Sequence, residues 1–189
     1  MLLLGPTPAR CLGLAAETEM NHASVRLRGL SAFAVALVLV AGSAFAATVG
    51  DAAPSFALPT AEGTTIDLER LRGQVVYVDF WASWCGPCRR SFPWMNDMQR
   101  RYGGRGLTIV AINVDAKRED AERFLRQFPA SFAVAFDSGG ATPRAYGVKA
   151  MPSSFIIDAR GTVAGIEHGF LDERRAGLEE TLRSLVARP

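Results

Sequence analysis

Val75-Val76-Tyr77-Val78-Asp79-Phe80-Trp81 followed by Ala82-Ser83-Trp84-Cys85-Gly86-Pro87-Cys88 decides the reading of this chain. The first seven residues are apolar but for Asp79, as in a central strand covered on both faces. The last residues open a helix-like run, so a Cys-x-x-Cys sits where a strand turns into a helix. A helix N-terminus points unpaired N–H groups and a partial positive charge at the first sulfur. That favours thiolate over thiol, and the thiolate is the nucleophile of disulfide exchange. Cys85, nearer the helix end, is the nucleophile and the exposed sulfur of this reading. Cys88, one turn further in, is the buried resolving thiol.

The rest of the chain fits that centre. Phe56-Ala57-Leu58 and Thr64 to Leu68 flank Glu62-Gly63 and read as a hairpin. The first helix extends to Tyr102 with Phe92, Met95, Met98 and Tyr102 on its core face. Pro93 inside it predicts a kink or a displaced turn, and Gly103-Gly104 ends it. Leu107 to Val114 is a second buried strand, Lys117 to Phe128 an amphipathic helix, and Phe132 to Phe136 a short strand. One or two helical turns occupy Thr142 to Tyr146. Ser153 to Asp158 and Thr162 to Ile166, joined at Ala159-Arg160-Gly161, form an antiparallel hairpin. A last helix starts near Asp172. Alternating strands and helices with a terminal hairpin give an α/β domain whose mixed sheet carries helices on both faces.

The chain has 189 residues and a net charge of +2, with basic residues scattered. Nothing in it reads as a nucleic-acid footprint. Arg26 and Arg28, the apolar run Leu30 to Val40 and Ala44-Phe45-Ala46 follow the order of a secretory signal. Residues 1–46 are therefore read as an upstream extension and signal peptide with the natural start at Met20, and 47–189 as the domain. An uncleaved membrane anchor is the alternative, and either places the domain outside the cytoplasm. Of three cysteines, Cys11 falls in the leader. Cys85 and Cys88 would close a tiny loop, where a structural staple has least entropic benefit. A zinc site needs more Cys or His ligands than the domain has, so no metal is expected.

Asp79 is the odd charge in a buried run and must be solvated, paired or neutralised there. Six residues before Cys85 on the feeding strand, it is placed to lie beneath Cys88. With a raised pKa it takes the Cys88 proton as that thiol attacks. Trp81 reads as core or a wall beside the site, Trp84 as part of the surface a partner touches. Arg89 and Arg90 read as a solvated face.

The run Val78 to Cys88 with Pro93, followed by Met151-Pro152, resembles thioredoxins. The whole of residues 50–186 resembles the exported TlpA/ResA group. The entry Gly50-Asp51-x-x-Pro54-x-Phe56-x-Leu58-Pro59 is similar to theirs, as is the extra helix–strand segment from Lys117 to Asp137. The resemblance implies a thioredoxin fold and a cis Met151–Pro152 bond lying against the disulfide. It implies thiol:disulfide oxidoreductase activity in the periplasm, with no cofactor beyond the Cys85–Cys88 disulfide. Trp84, Gly86, Pro87, Met151 and Pro152 become substrate-binding candidates beside the catalytic Cys85, Cys88 and Asp79. The implied partners are protein thiols and disulfides, with a membrane thiol reductase as electron donor. Typical clients are apocytochromes c and copper-site assembly proteins, and the protein is expected to be a monomer. Three positions depart from the group or from thioredoxin. Asp79 stands where many members carry Asn, Ala111 where thioredoxin offers a Lys to the carboxylate, and Ser91 where many members have Glu.

Gly86-Pro87 between the cysteines favours a reductase, because thioredoxin lies at the reducing end of the redox scale. A disulfide-forming oxidase, a thiol peroxidase and a non-enzymatic binding or chaperone module are the competing readings.

Overall fold

The computed structural model describes residues 46–187. Residues 1–45, with Cys11, Met20 and most of the leader motif, lie outside the described residues. A two-stranded antiparallel ladder, β1 (Ala57–Pro59) and β2 (Thr65–Asp67), opens the described chain. There follow β3 (Val75–Trp81), α1 (Cys88–Tyr102), β4 (Leu107–Asn113), α2 (Arg118–Gln127), β5 (Ala133–Phe136) and the short α3 (Ala141–Ala145). The chain ends with β6 (Ser153–Ile157), β7 (Val163–His168) and α4 (Arg175–Val186), the last preceded by a 3₁₀ turn at Asp172–Arg174.

The main sheet has five strands in the order β5-β4-β3-β6-β7. β3 pairs in parallel with β4, and β4 with β5, while β6 and β7 run antiparallel. All seven residues of β3 are buried, which is why its sequence lacks the alternation of a half-exposed strand. Odd-numbered β3 residues such as Tyr77 and Trp81 face a core shared with α1, α2 and α4, through Phe92, Met95, Phe124, Leu178 and Leu182. Even-numbered Val76, Val78 and Phe80 face a second core with Phe56, Leu68 and Tyr146. The first is covered by three helices, the second by the N-terminal segment and the end of α3.

The helical spacing on α1 is as read: Phe92, Met95, Met98 and Tyr102 are buried, and Trp94 joins them. No turn is displaced at Pro93, which lies inside α1. The helix is continuous through it, because the proline removes one N–H donor while buried neighbours on either side hold the helix to the sheet. The entry segment crosses the second face from edge to edge. Ala52 bridges Thr162 just before β7, and Thr60 bridges Ala135 on β5.

Candidate active site

After Trp81 the chain leaves β3 through a turn in which the Cys85 N–H donates to the Ala82 carbonyl at 3.0 Å. Gly86 and Pro87 carry it into α1, which begins at Cys88. Cys85 and Cys88 form a disulfide with Cα atoms 5.4 Å apart. The backbone N–H of Cys88, the first helical residue, donates to the Cys85 Sγ at 3.2 Å. The helix end therefore acts on the sulfur through a named bond that would also hold a thiolate. The expectation of an exposed Cys85 needs correction. Cys85 retains 3% exposure and Cys88 none. In the oxidised form both sulfurs belong to the α1 core, against which Met151 also packs. The order of exposure is as expected, but the nucleophile shows only an edge to solvent.

The loop ahead of Cys85 is pinned from the neighbouring strand. Asp115, two residues beyond β4 and nearly buried, accepts the Ser83 N–H at 2.9 Å and the Ser83 hydroxyl at 3.0 Å. Asn113 at the end of β4 donates its side-chain amide to the same carboxylate at 2.8 Å. The Val114 N–H bonds the Trp81 carbonyl at 3.0 Å. Sequence reasoning missed Asp115. Its signal is the pair Asn113-x-Asp115 at the carboxyl end of a buried strand, where α/β sheets place their sites.

Asp79 is fully buried on the face that α1 covers. Its parallel neighbour is Ala111 and its antiparallel neighbour Ser154. Ser154 donates its hydroxyl to Asp79 Oδ1 at 2.7 Å, while Oδ2 has no partner. Burial pushes the Asp79 carboxyl up from 3.8 to about 7, and the Ser154 hydrogen bond draws it back in part. The expected desolvation is there; the serine partner was not foreseen. Tyr77, on the same face, is raised well above the usual range by burial and by the charge of Asp79. A carboxyl poised near neutrality on the Cys88 side of the sheet has the properties of a proton acceptor.

Beside the disulfide, Trp84 is 70% exposed, the largest apolar side chain so presented among the described residues. Gly86 is exposed, Pro87 and Met151 half-buried, Pro152 buried. The Met151–Pro152 bond is cis, as the resemblance implied. The loop is held by the Ser153 hydroxyl on the Ala150 carbonyl at 2.8 Å and by the Gly169 N–H on the Pro152 carbonyl at 2.8 Å. Arg89 and Arg90 are exposed, as a solvated face should be. Among the described residues no group of three or more His, Cys, Asp and Glu side chains converges to hold a metal ion.

A family model described as Redoxin matches residues 48–182. This chain belongs to the Redoxin family. Thiol-disulfide oxidoreductase ResA of Bacillus thuringiensis subsp. konkukian is 34% identical over 138 residues, covering 73% of this chain and 79% of that protein. ResA of Geobacillus thermodenitrificans is 37% identical over 124 residues, 66% of this chain and 71% of the relative. A Chlorobium tepidum crystal structure named for thiol:disulfide interchange protein DsbE shares 52% identity and superposes with a TM-score of 0.72. It covers 75% of this chain and 99% of that one. The fold is the thioredoxin fold, with the N-terminal hairpin and the inserted α2–β5 segment that the resemblance implied. This redoxin is a thiol-disulfide oxidoreductase.

Proposed function

We propose that this oxidoreductase is a periplasmic reductase of protein disulfides, working through the Cys85–Cys88 pair. The observation that carries the reading is the Cys88 N–H on the Cys85 sulfur, together with a buried carboxyl near neutrality on the helix-covered face of β3. In the reduced enzyme the Cys85 thiolate attacks one sulfur of a client disulfide. The client's other sulfur leaves as a thiolate and a mixed disulfide forms. Cys88 then gives its proton to Asp79, attacks the Cys85 sulfur and expels the second client thiolate. Two electrons have passed to the client, the enzyme is left with the disulfide, and the proton sits on Asp79. Solvent protonates the client thiolates.

Trp84, Gly86 and Pro87 flank Cys85 in the chain and Met151 packs on the core that holds both sulfurs; we assign these residues, with Pro152, the client contact. Because the exposed edge of Cys85 is narrow, a client enters as an extended segment carrying its disulfide. The electron donor proposed is a membrane thiol reductase, and the clients are apocytochromes c or copper-site assembly proteins. Support for these comes from the resemblance; support for the compartment comes from Arg26, Arg28 and the apolar run ending in Ala44-Phe45-Ala46.

Equilibration with glutathione tests the direction. A reductase lies nearer thioredoxin, at about −270 mV, than DsbA, at about −120 mV. A value at the DsbA end transfers the protein to the oxidase reading. Failure of the reduced protein to cleave insulin disulfides with an external thiol supports the non-enzymatic module. Trapping with Cys88→Ser in the native host identifies clients held on Cys85, and fractionation of that host locates the protein.

A further inference from the structure

One row of side chains crosses the sheet from the buried centre to its edge on the α1 face. Ala111 on β4, Asp79 on β3, Ser154 on β6 and Glu167 on β7 are successive register partners. Directly opposite antiparallel neighbours hold their Cβ atoms about 4.5–5.5 Å apart, so Ser154 has Asp79 on one side and Glu167 on the other. Towards Asp79 its hydroxyl makes a 2.7 Å bond. Glu167 reaches the surface: its side chain is 23% exposed and meets Arg174 at 3.1 Å.

A groove of about 470 Å³ runs between β7 and α4 on this same face, lined among others by Ile156, Gly165, Glu167, Arg174 and Leu178. Gly165 stands opposite Ile156. A Cβ there would lie 3.2 Å from the Ile156 Cδ1, so the missing side chain lets the groove reach β6. Water has room there beside a carboxylate. On the other side of the row nothing polar meets Asp79, because Ala111 takes the position. Among the charged and titratable groups on this face, Tyr77 on the same strand feels the charges of both Asp79 and Glu167, and Glu167 is paired with Arg174 at the edge.

We propose that Asp79 exchanges its proton with solvent through Ser154 and Glu167, by way of the β7–α4 groove rather than past the disulfide. This rests on the reductase cycle above, in which Asp79 ends each turnover protonated beneath a site that is closed when oxidised. The Asp79 carboxyl gives its proton to the Ser154 oxygen while the Ser154 O–H proton passes, directly or through one groove water, to the Glu167 carboxylate. Glu167 releases it to the groove. The net result is one proton moved from Asp79 to solvent, with the serine and glutamate restored. Ser154 and Glu167 are positioning residues for the buried acid and touch no client.

The test is single-turnover resolution of a mixed disulfide preformed on Cys85, followed across pH in water and in deuterium oxide. Steady-state insulin reduction is measured alongside. Ser154→Ala removes a bond to the ionised acid; hydrogen bonds to charged groups are strong enough to move the resolution midpoint up by about one pH unit. Ser154→Thr keeps the hydroxyl and restores the wild-type midpoint. Glu167→Gln, a conservative change at a partly exposed site, raises the solvent isotope effect and makes recovery of Asp79 from its protonated form rate-limiting in steady state. Wild-type turnover with unchanged profiles in both Ser154→Ala and Glu167→Gln overturns the relay and leaves the reductase reading standing. A shift in Ser154→Ala without an effect of Glu167→Gln overturns the edge route. No insulin reduction by the wild-type protein overturns the reductase reading itself.

Discussion

Replacing Asp79 by Asn should stabilise the oxidised domain, and by an amount that grows with pH. Burial lifts this carboxyl from 3.8 to about 7, so the native state keeps a proton that the unfolded chain has released. Native stability therefore falls as pH rises from about 4, and the loss is complete above about 7. At ~1.4 kcal/mol per unit, a shift of about three units sets the whole cost near ~4 kcal/mol. Between pH 5 and pH 8 about 2–3 kcal/mol of it develops, the remainder being already present at the lower pH. The amide keeps an acceptor for the Ser154 hydroxyl and adds no charge. Urea unfolding of both oxidised proteins at pH 5 and pH 8 reads the difference directly. The stability gap should widen by about 2–3 kcal/mol towards pH 8. A gap independent of pH would mean that Asp79 ionises as an ordinary carboxyl, and the argument from its missing cation would collapse.

Alkylation of the reduced protein at neutral pH should modify Cys85 first, since the Cys88 N–H supports its thiolate; mass mapping that found Cys88 labelled first would reverse the two roles. Asp115→Ala removes the acceptor of two Ser83 bonds and should cost about 2–3 kcal/mol in unfolding experiments, with a slower attack on client disulfides. Trp84→Ala, at a 70% exposed position, should change stability by less than about 0.5 kcal/mol. It should raise KM for a protein disulfide while leaving the melting temperature in place; an unchanged KM would remove Trp84 from the client surface.

The central strand, the helix that follows it and the terminal hairpin were legible because each is written locally. Six apolar residues around one charge announce β3, and Phe92, Met95, Met98 and Tyr102 announce the buried face of α1. Asp79 was legible as an anomaly for the same reason. Its partner was not. Ser154 lies 75 residues away, and only the β3–β6 register brings the two together. The period-two signal was present, since Ser154 and Ile156 share a face, but nothing in the hairpin said which strand it would join. Asp115 was hidden similarly, because its use depends on a loop that belongs to another strand. The exposure of Cys85 was misjudged because helix position describes the backbone end of the site, while the cover over the sulfur comes from packing around it.

The nine residues from Ala52 to Thr60 touch both margins of the five-stranded sheet, at Thr162 beside β7 and at Ala135 on β5. The Val163 N–H and carbonyl are also taken, by Asp51 and Gly50. Open strand margins recruit other chains, and proteins block them by covering or shortening them. Here one strap guards both ends of the sheet. A chain shortened past Thr60 would uncover the second core, losing Ala53 and Phe56 from it, and would offer two bare margins to neighbouring molecules. Its first failure would be self-association.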